Sequence, residues 1–157
     1  MRLRNRMVNG VAEYTIYGIV NLHHTRKGII RMVQQGEKPL VWIGSSKKDL
    51  LDLPKDVQRF FGFALDFAQG GEKHDAVKVM KGFGGAGVLE VVEDDIGGTY
   101  RAVYTVKFDE AVFVLHAFQK KSKHGIATLK EDMDIIRNRL KVAAVMAQEM
   151  KNERENH

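Results

Sequence analysis

The sequence predicts an α+β domain: a helical hairpin packed on a small, mainly antiparallel sheet, closed by a long C-terminal helix. Three observations predict it. From Tyr100 to Phe108, Tyr100, Ala102, Tyr104, Val106 and Phe108 alternate with Arg101, Val103, Thr105 and Lys107. That period of two marks a strand with one well-buried face. Ala111–Phe118 is a second Val-, Phe- and Leu-rich run, and Asp109-Glu110 between the two sits where a tight hairpin turn belongs. Finally, two stretches carry apolar residues at three-and-four spacing: Val57, Phe60, Phe61, Ala64, Leu65, Phe67 and Ala68, then Leu129, Met133, Ile136, Leu140, Ala143, Met146 or Ala147, and Met150.

The elements follow in order. Residues 1–37 carry Arg2, Arg4, Arg6, Arg26, Lys27 and Arg31 with no sustained period. They read as a poorly ordered extension, with Met32 as an alternative start and a short strand or helix at Val11–Val20 as the other reading. Pro39–Ile43 reads as a first strand. Ser46, three residues before Asp49, signals a helix N-cap, and the helix runs to about Leu53. Pro54 suits the first turn of the next helix, which Gly70-Gly71 ends. Lys78–Gly87 reads as a glycine-rich loop, Val88–Glu93 as a strand and Asp94–Gly98 as a turn. After the hairpin, Thr128 with Glu131 makes a capping box for the final helix. The expected order is β-α-α-β-β-β-α. The expected boundaries are an extension over 1–37, a domain over 38–150 and a polar tail over 151–157.

Composition narrows the chemistry. A chain of 157 residues is one domain, and 44% apolar content suffices for a real core. The absence of cysteine removes disulfide and thiolate chemistry. No apolar run reaches the ~18 residues of a membrane span. The arginine-rich start mimics a signal n-region, but Asn9, Gly10, Glu13 and Tyr14 interrupt any apolar stretch behind it. A net charge of +5 favours a polyanionic partner without naming one.

Gly82-Phe83-Gly84-Gly85-Ala86-Gly87 satisfies G-x-G-x-x-G, yet it precedes a strand instead of following one and opening a helix. It reads as a loop, not a dinucleotide fingerprint. His116 and His124 lack the company a zinc site needs, so no metal and no cofactor are expected. Charge points to one place. No carboxylate lies between Glu110 and Glu131, while Lys120, Lys121, Lys123 and His124 follow the last strand. Arg101 begins the neighbouring antiparallel strand and is expected opposite Phe118–Lys120. Cations crowded at one sheet end suit a phosphate, whereas solvated charges that keep the end soluble are the plain alternative. Tyr104 suits base stacking or core packing, and His116 faces either the core or a groove.

Tyr100-Arg101-Ala102-Val103-Tyr104, Val112–Lys121, Lys81-Gly82-Phe83-Gly84 before Val88–Val91, and Gly125-Ile126-Ala127 together resemble the HigB-like, phage-derived branch of the RelE/ParE toxin superfamily over about Lys38–Leu140. The resemblance implies a RelE-like fold and the toxin half of a type II toxin–antitoxin pair. It implies a small helix-turn-helix (HigA-like) antitoxin, the ribosome and mRNA as partners, a cytoplasmic location, and metal-independent cleavage of mRNA. In that chemistry the 2′-hydroxyl attacks the adjacent phosphate. By resemblance Arg101 matches the phosphate-binding arginine, and Lys121 or Lys120 matches the basic position after the last strand. Lys123 and His124 are the nearest groups for proton transfer. Where ribosome-dependent relatives carry lysines, the Val88–Val92 strand offers Glu90, which serves either as a base paired with a His124 acid or as a structural residue. Lys120, Lys123, Tyr104 and His116 are the expected RNA contacts. A ParE-like poison of DNA gyrase and an inactive phage-derived binding or regulatory module are the alternatives.

Overall fold

The structure, a computed structural model, describes residues 12–14, 36–85, 87–120 and 130–156, with only the backbone described for the first three. Its mixed α+β order is β1 (Ala12–Tyr14), β2 (Leu40–Ile43), α1 (Ser46–Leu51), α2 (Lys55–Gln69), β3 (Val77–Val79), β4 (Val88–Asp95), β5 (Gly98–Thr105), β6 (Val112–Gln119) and α3 (Lys130–Glu155). Among the described residues these strands form one six-stranded sheet in the order β1-β2-β6-β5-β4-β3. Every neighbouring pair is antiparallel except β2 with β6.

Helices cover both sides, so the domain has three layers. On one side α1 and α2 bring Leu50, Val57, Phe61, Ala64, Leu65 and Ala68 onto Trp42, Val91, Ala102, Tyr104 and Val114. On the other, α3 brings Ile136, Ala143, Met146 and Ala147 onto Val41, Ile43, Val103, Phe113 and Leu115. The pleat sorts alternate residues of β5 into these two cores. From Tyr100 to Thr105 every residue is buried. The expectation of one buried face is thereby corrected, because a strand roofed on both sides buries both sets of side chains.

Several local expectations change for physical reasons. Alternation in Val106–Phe108 does not continue β5, which stops at Thr105. The Thr105 hydroxyl donates to the Gly87 carbonyl at 2.6 Å and accepts from the Lys107 amide at 3.1 Å, turning the chain out of the ladder. The β5–β6 connection is therefore the six-residue segment 106–111, with Asp109-Glu110 at its tip. The true tight hairpin is Ile96-Gly97, where Asp95 faces Gly98. Lys78 and Val79, expected inside a loop, form an edge strand with Val77. Ser46 does not cap α1: it lies inside the helix, and its hydroxyl donates to the Val114 carbonyl at 3.0 Å, tying α1 to the sheet. Within the expected extension, Ala12–Tyr14 pairs with Val41–Ile43. The Thr128 capping box lies outside the described residues. Among them, no helix is long and apolar enough to cross a membrane.

Candidate functional site

The polar groups gather on the side of the sheet that carries α3. Register fixes this. Lys78 faces Glu90, Glu90 faces Val103, and Val103 faces His116, so one row crosses four strands. Val103 packs in the α3-side core, which places the whole row on that face. One row further, Arg101 faces Val92 and Phe118, as its expected position opposite the end of β6 required.

Arg101 and Glu90 meet directly. Arg101 Nη1 donates to Glu90 Oε2 at 3.0 Å, and the two side chains are 10% and 16% exposed. The expected cluster of uncompensated cations is corrected at this point. No carboxylate lies between Glu110 and Glu131, but β4 delivers one to Arg101 across the sheet. A guanidinium held in a mostly buried place needs such a partner.

His116 sits in a second network. A register shift in β5–β6 after Val103 leaves Leu115 extra, so Leu115 and His116 both turn toward α3. Bulges re-aim side chains in this way. His116 Nε2 lies 2.9 Å from Asp132 Oδ1 in the first turn of α3, and the ring stacks on Phe118 at 4.7 Å. On its other side Nδ1 lies 3.4 Å from Arg139 Nη1, a group that only donates. The neutral tautomer with the proton on Nε2 satisfies both contacts. Burial pushes the imidazole below its ordinary pKa, and the Arg139 charge pushes the same way, outweighing the Asp132 hydrogen bond. The 3.8 Å contact to Asp49 is then no ion pair. Arg139 closes the network. It donates to the Leu115 carbonyl at 2.8 Å and to Ser45 Oγ at 2.7 Å, while Ser45 Oγ donates to Asp49 at 2.8 Å. Gly44, at φ +58°, gives this guanidinium its room, since a Cβ there would stand 3.0 Å from Arg139 Nε.

The remaining expected site residues divide. Lys120 is half-buried at the end of β6, its amide bonded to the Thr99 carbonyl at 2.8 Å. Lys121, Lys123 and His124 lie outside the described residues. Tyr104 is fully buried on the opposite side of the sheet, under α2, and its phenol oxygen has no hydrogen-bond partner among the described residues. Burial pushes the phenol up to about 12. Tyr104 is a core residue in this conformation and is not brought together with Arg101. His116 has both ring nitrogens engaged, which makes it a strut between sheet and α3. Sequence reasoning missed Asp132, Arg139, Asp49 and Lys78. Alternation in Val77-Lys78-Val79 was the one usable signal, and three residues are too few to carry it. Among the described residues no cluster of His, Asp and Glu has the grouping to hold a metal.

What this face offers chemically is a carboxylate and a guanidinium in contact, an exposed lysine in the same row, and a strand end from which the chain continues into Lys121–His124. Neither curated proteins nor solved structures give a match to the chain. The family model described as "Phage derived protein Gp49-like (DUF891)" matches residues 48–141. That stretch is more than half of the chain and runs from α1 into α3, taking in Glu90, Arg101, His116 and Asp132. On that match the chain belongs to the Gp49-like family of phage-derived proteins, a family related to toxin–antitoxin toxins.

Proposed function

We propose that this protein is the toxin of a type II toxin–antitoxin pair, held in check by a small helix-turn-helix antitoxin, and that it cuts mRNA on the ribosome. Family membership supports the toxin class. The single observation that carries the nuclease reading is the contact of Glu90 with Arg101 at 3.0 Å on the face that leads to Lys120.

Cleavage without a metal needs three services. A base takes the proton from the 2′-hydroxyl, cations hold the phosphate as charge develops, and an acid protonates the departing 5′-oxygen. The 2′-oxygen to phosphorus bond forms and the phosphorus to 5′-oxygen bond breaks, leaving a 2′,3′-cyclic phosphate and a 5′-hydroxyl. In this reading Glu90 is the base, Arg101 and Lys121 hold the phosphate, and His124 supplies the proton. Lys120 and Lys123 line the approach of the RNA.

A second reading takes the same contact as purely structural. If the Glu90–Arg101 pair serves only to fill the sheet face, the protein acts by contact, as a gyrase poison or a regulatory module. Translation in a cell-free extract with primer extension on the message separates the two. Ribosome-dependent, codon-spaced breaks are expected, and they disappear in Lys121→Ala and in the neutral pair Glu90→Gln with Arg101→Gln. An intact message together with trapped gyrase–DNA complexes would transfer the assignment to the second reading.

A further inference from the structure

Lys78 is an exposed cation in the same row that neither the family match nor the reading above assigns. Glu90 compensates Arg101, so this pair brings no net positive charge to an incoming phosphodiester. Asp132 is likewise taken, by His116. In the row Lys78–Glu90–Val103–His116, Lys78 stands directly across from Glu90 on the same face. Its neighbour Val77 is buried in the opposite core, so the pleat turns Lys78 to the α3 side. Lys78 is nonetheless exposed, so α3 does not cover it. Among the described residues no carboxylate forms an ion pair with Lys78, because the one opposite it is bound to Arg101.

The surroundings shape this edge further. The β3–β4 loop folds against α3, with Arg137 over the Phe83 ring at 5.8 Å. Gly82, at φ +92°, leaves the room that Met133 Cε fills, since a Cβ there would lie 3.2 Å from it. Loop and helix thus meet just beyond the strand that carries Lys78. We propose that Lys78 is a phosphate-binding residue of this site, contacting the backbone of single-stranded RNA from the edge strand beside the Glu90–Arg101 pair. The proposal rests on the nuclease reading and deepens it. An ammonium on the edge supplies the attraction that the internally compensated guanidinium does not.

The test is binding of a 2′-O-methyl oligoribonucleotide, which has no 2′-hydroxyl to attack, across a salt series. For single strands each phosphate contact contributes about 0.7 to the slope of log affinity against log salt. Lys78→Ala is expected to weaken binding several-fold at low salt and to flatten the slope by about that amount. Lys78→Arg is expected to keep both. Lys55→Ala, an exposed lysine at the start of α2, is expected to match the wild type, and thermal melts confirm that each variant is folded. Wild-type affinity and slope in Lys78→Ala would overturn the proposal and leave the nuclease reading standing. So would equal losses in Lys78→Ala and Lys55→Ala, which indicate diffuse attraction. A wild type that binds no oligonucleotide but cleaves the message on ribosomes overturns the phosphate seat alone. Neither binding nor cleavage removes both.

Discussion

The two sides of the sheet are built on different principles. Under α1 and α2 the contact is dry: Val57, Phe61, Ala64 and Leu65 close on Val91, Ala102 and Val114, and the sole polar atom of Tyr104 is buried unused. Under α3 the same strands carry Glu90, Arg101 and His116, each with a named polar partner. A dry face converts buried area into stability at about 25 cal/mol per Å². A polar face must first recover the cost of desolvating its groups, and it contributes little net stability when complete. Groups retained there at such a cost are where recognition and chemistry are to be sought.

The sharpest way to break that comparison is to remove one large side chain from each face. Phe61→Ala leaves a cavity in the dry core and is expected to cost about 3–5 kcal/mol. Arg101→Ala is expected to cost a similar ~3–5 kcal/mol for a different reason, because it strands the Glu90 carboxylate in a mostly buried place. Urea unfolding distinguishes the causes. Adding Glu90→Gln to Arg101→Ala should recover a large part of the loss, whereas no polar change rescues Phe61→Ala. A double variant no more stable than Arg101→Ala would show that the pair is not what holds that face. Growth assays with Arg101→Ala alone therefore mix loss of function with loss of fold, and the neutral Gln–Gln pair is the cleaner probe.

Next in size is the bulge. Arg139→Met keeps an apolar stem but withdraws the donor from the Leu115 carbonyl and from Ser45 Oγ. A buried acceptor left without a partner costs about 1–3 kcal/mol, and a loss in that range is expected in the same unfolding assay. The effect should centre on α3 and the start of α1, with faster amide exchange there and little change in α2.

These contrasts also explain what the sequence could reveal. The second helix, β5 and α3 were legible because each carries its own period, whether two or 3.6, while β4 and β6 were legible from their Val-, Leu- and Phe-rich composition. β3 was hidden because Val77–Val79 is too short to show a period. The extent of β5 was misread because alternation continues through Val106 and Phe108, while the Thr105–Gly87 hydrogen bond that turns the chain is a contact between distant segments. The position of Arg101 beside the end of β6 was legible from hairpin arithmetic. Its partner was not, since Glu90 is reached diagonally across a second pair of strands. His116 faces α3 only because one extra residue enters the β6 ladder at Leu115, which no local pattern announces.

The pH dependence comes from the same polar face. His116 is surrounded by Asp132 and Arg139 of α3, Asp49 of α1 and the Phe118 ring of its own strand. Its folded pKa lies below the ordinary value of 6.5. Between the folded pKa and 6.5 the unfolded chain binds more protons than the folded one, so stability rises with pH through that window. The contribution is fully present above 6.5 and is lost as pH falls through the folded value. Denaturation midpoints measured from pH 7.5 down to 5 should therefore decline, and His116→Gln should flatten the decline. An equal decline in the variant would assign it to other groups.

The smallest expected effect has the opposite sign. Tyr104 is fully buried in the dry core, and its phenol oxygen has no partner among the described residues. Burying a hydroxyl without a hydrogen bond costs about 1–3 kcal/mol in proteins, offset in part by the contacts its oxygen makes. Tyr104→Phe removes the oxygen and keeps the ring, so it should leave stability unchanged or raise it by up to about 1 kcal/mol. It should also leave RNA binding and message cleavage untouched, because the residue lies on the side away from Arg101 and Glu90. Loss of cleavage in a stable Tyr104→Phe protein would mean that the hydroxyl reaches substrate in another conformation. The division of labour between the two faces would then have to be abandoned.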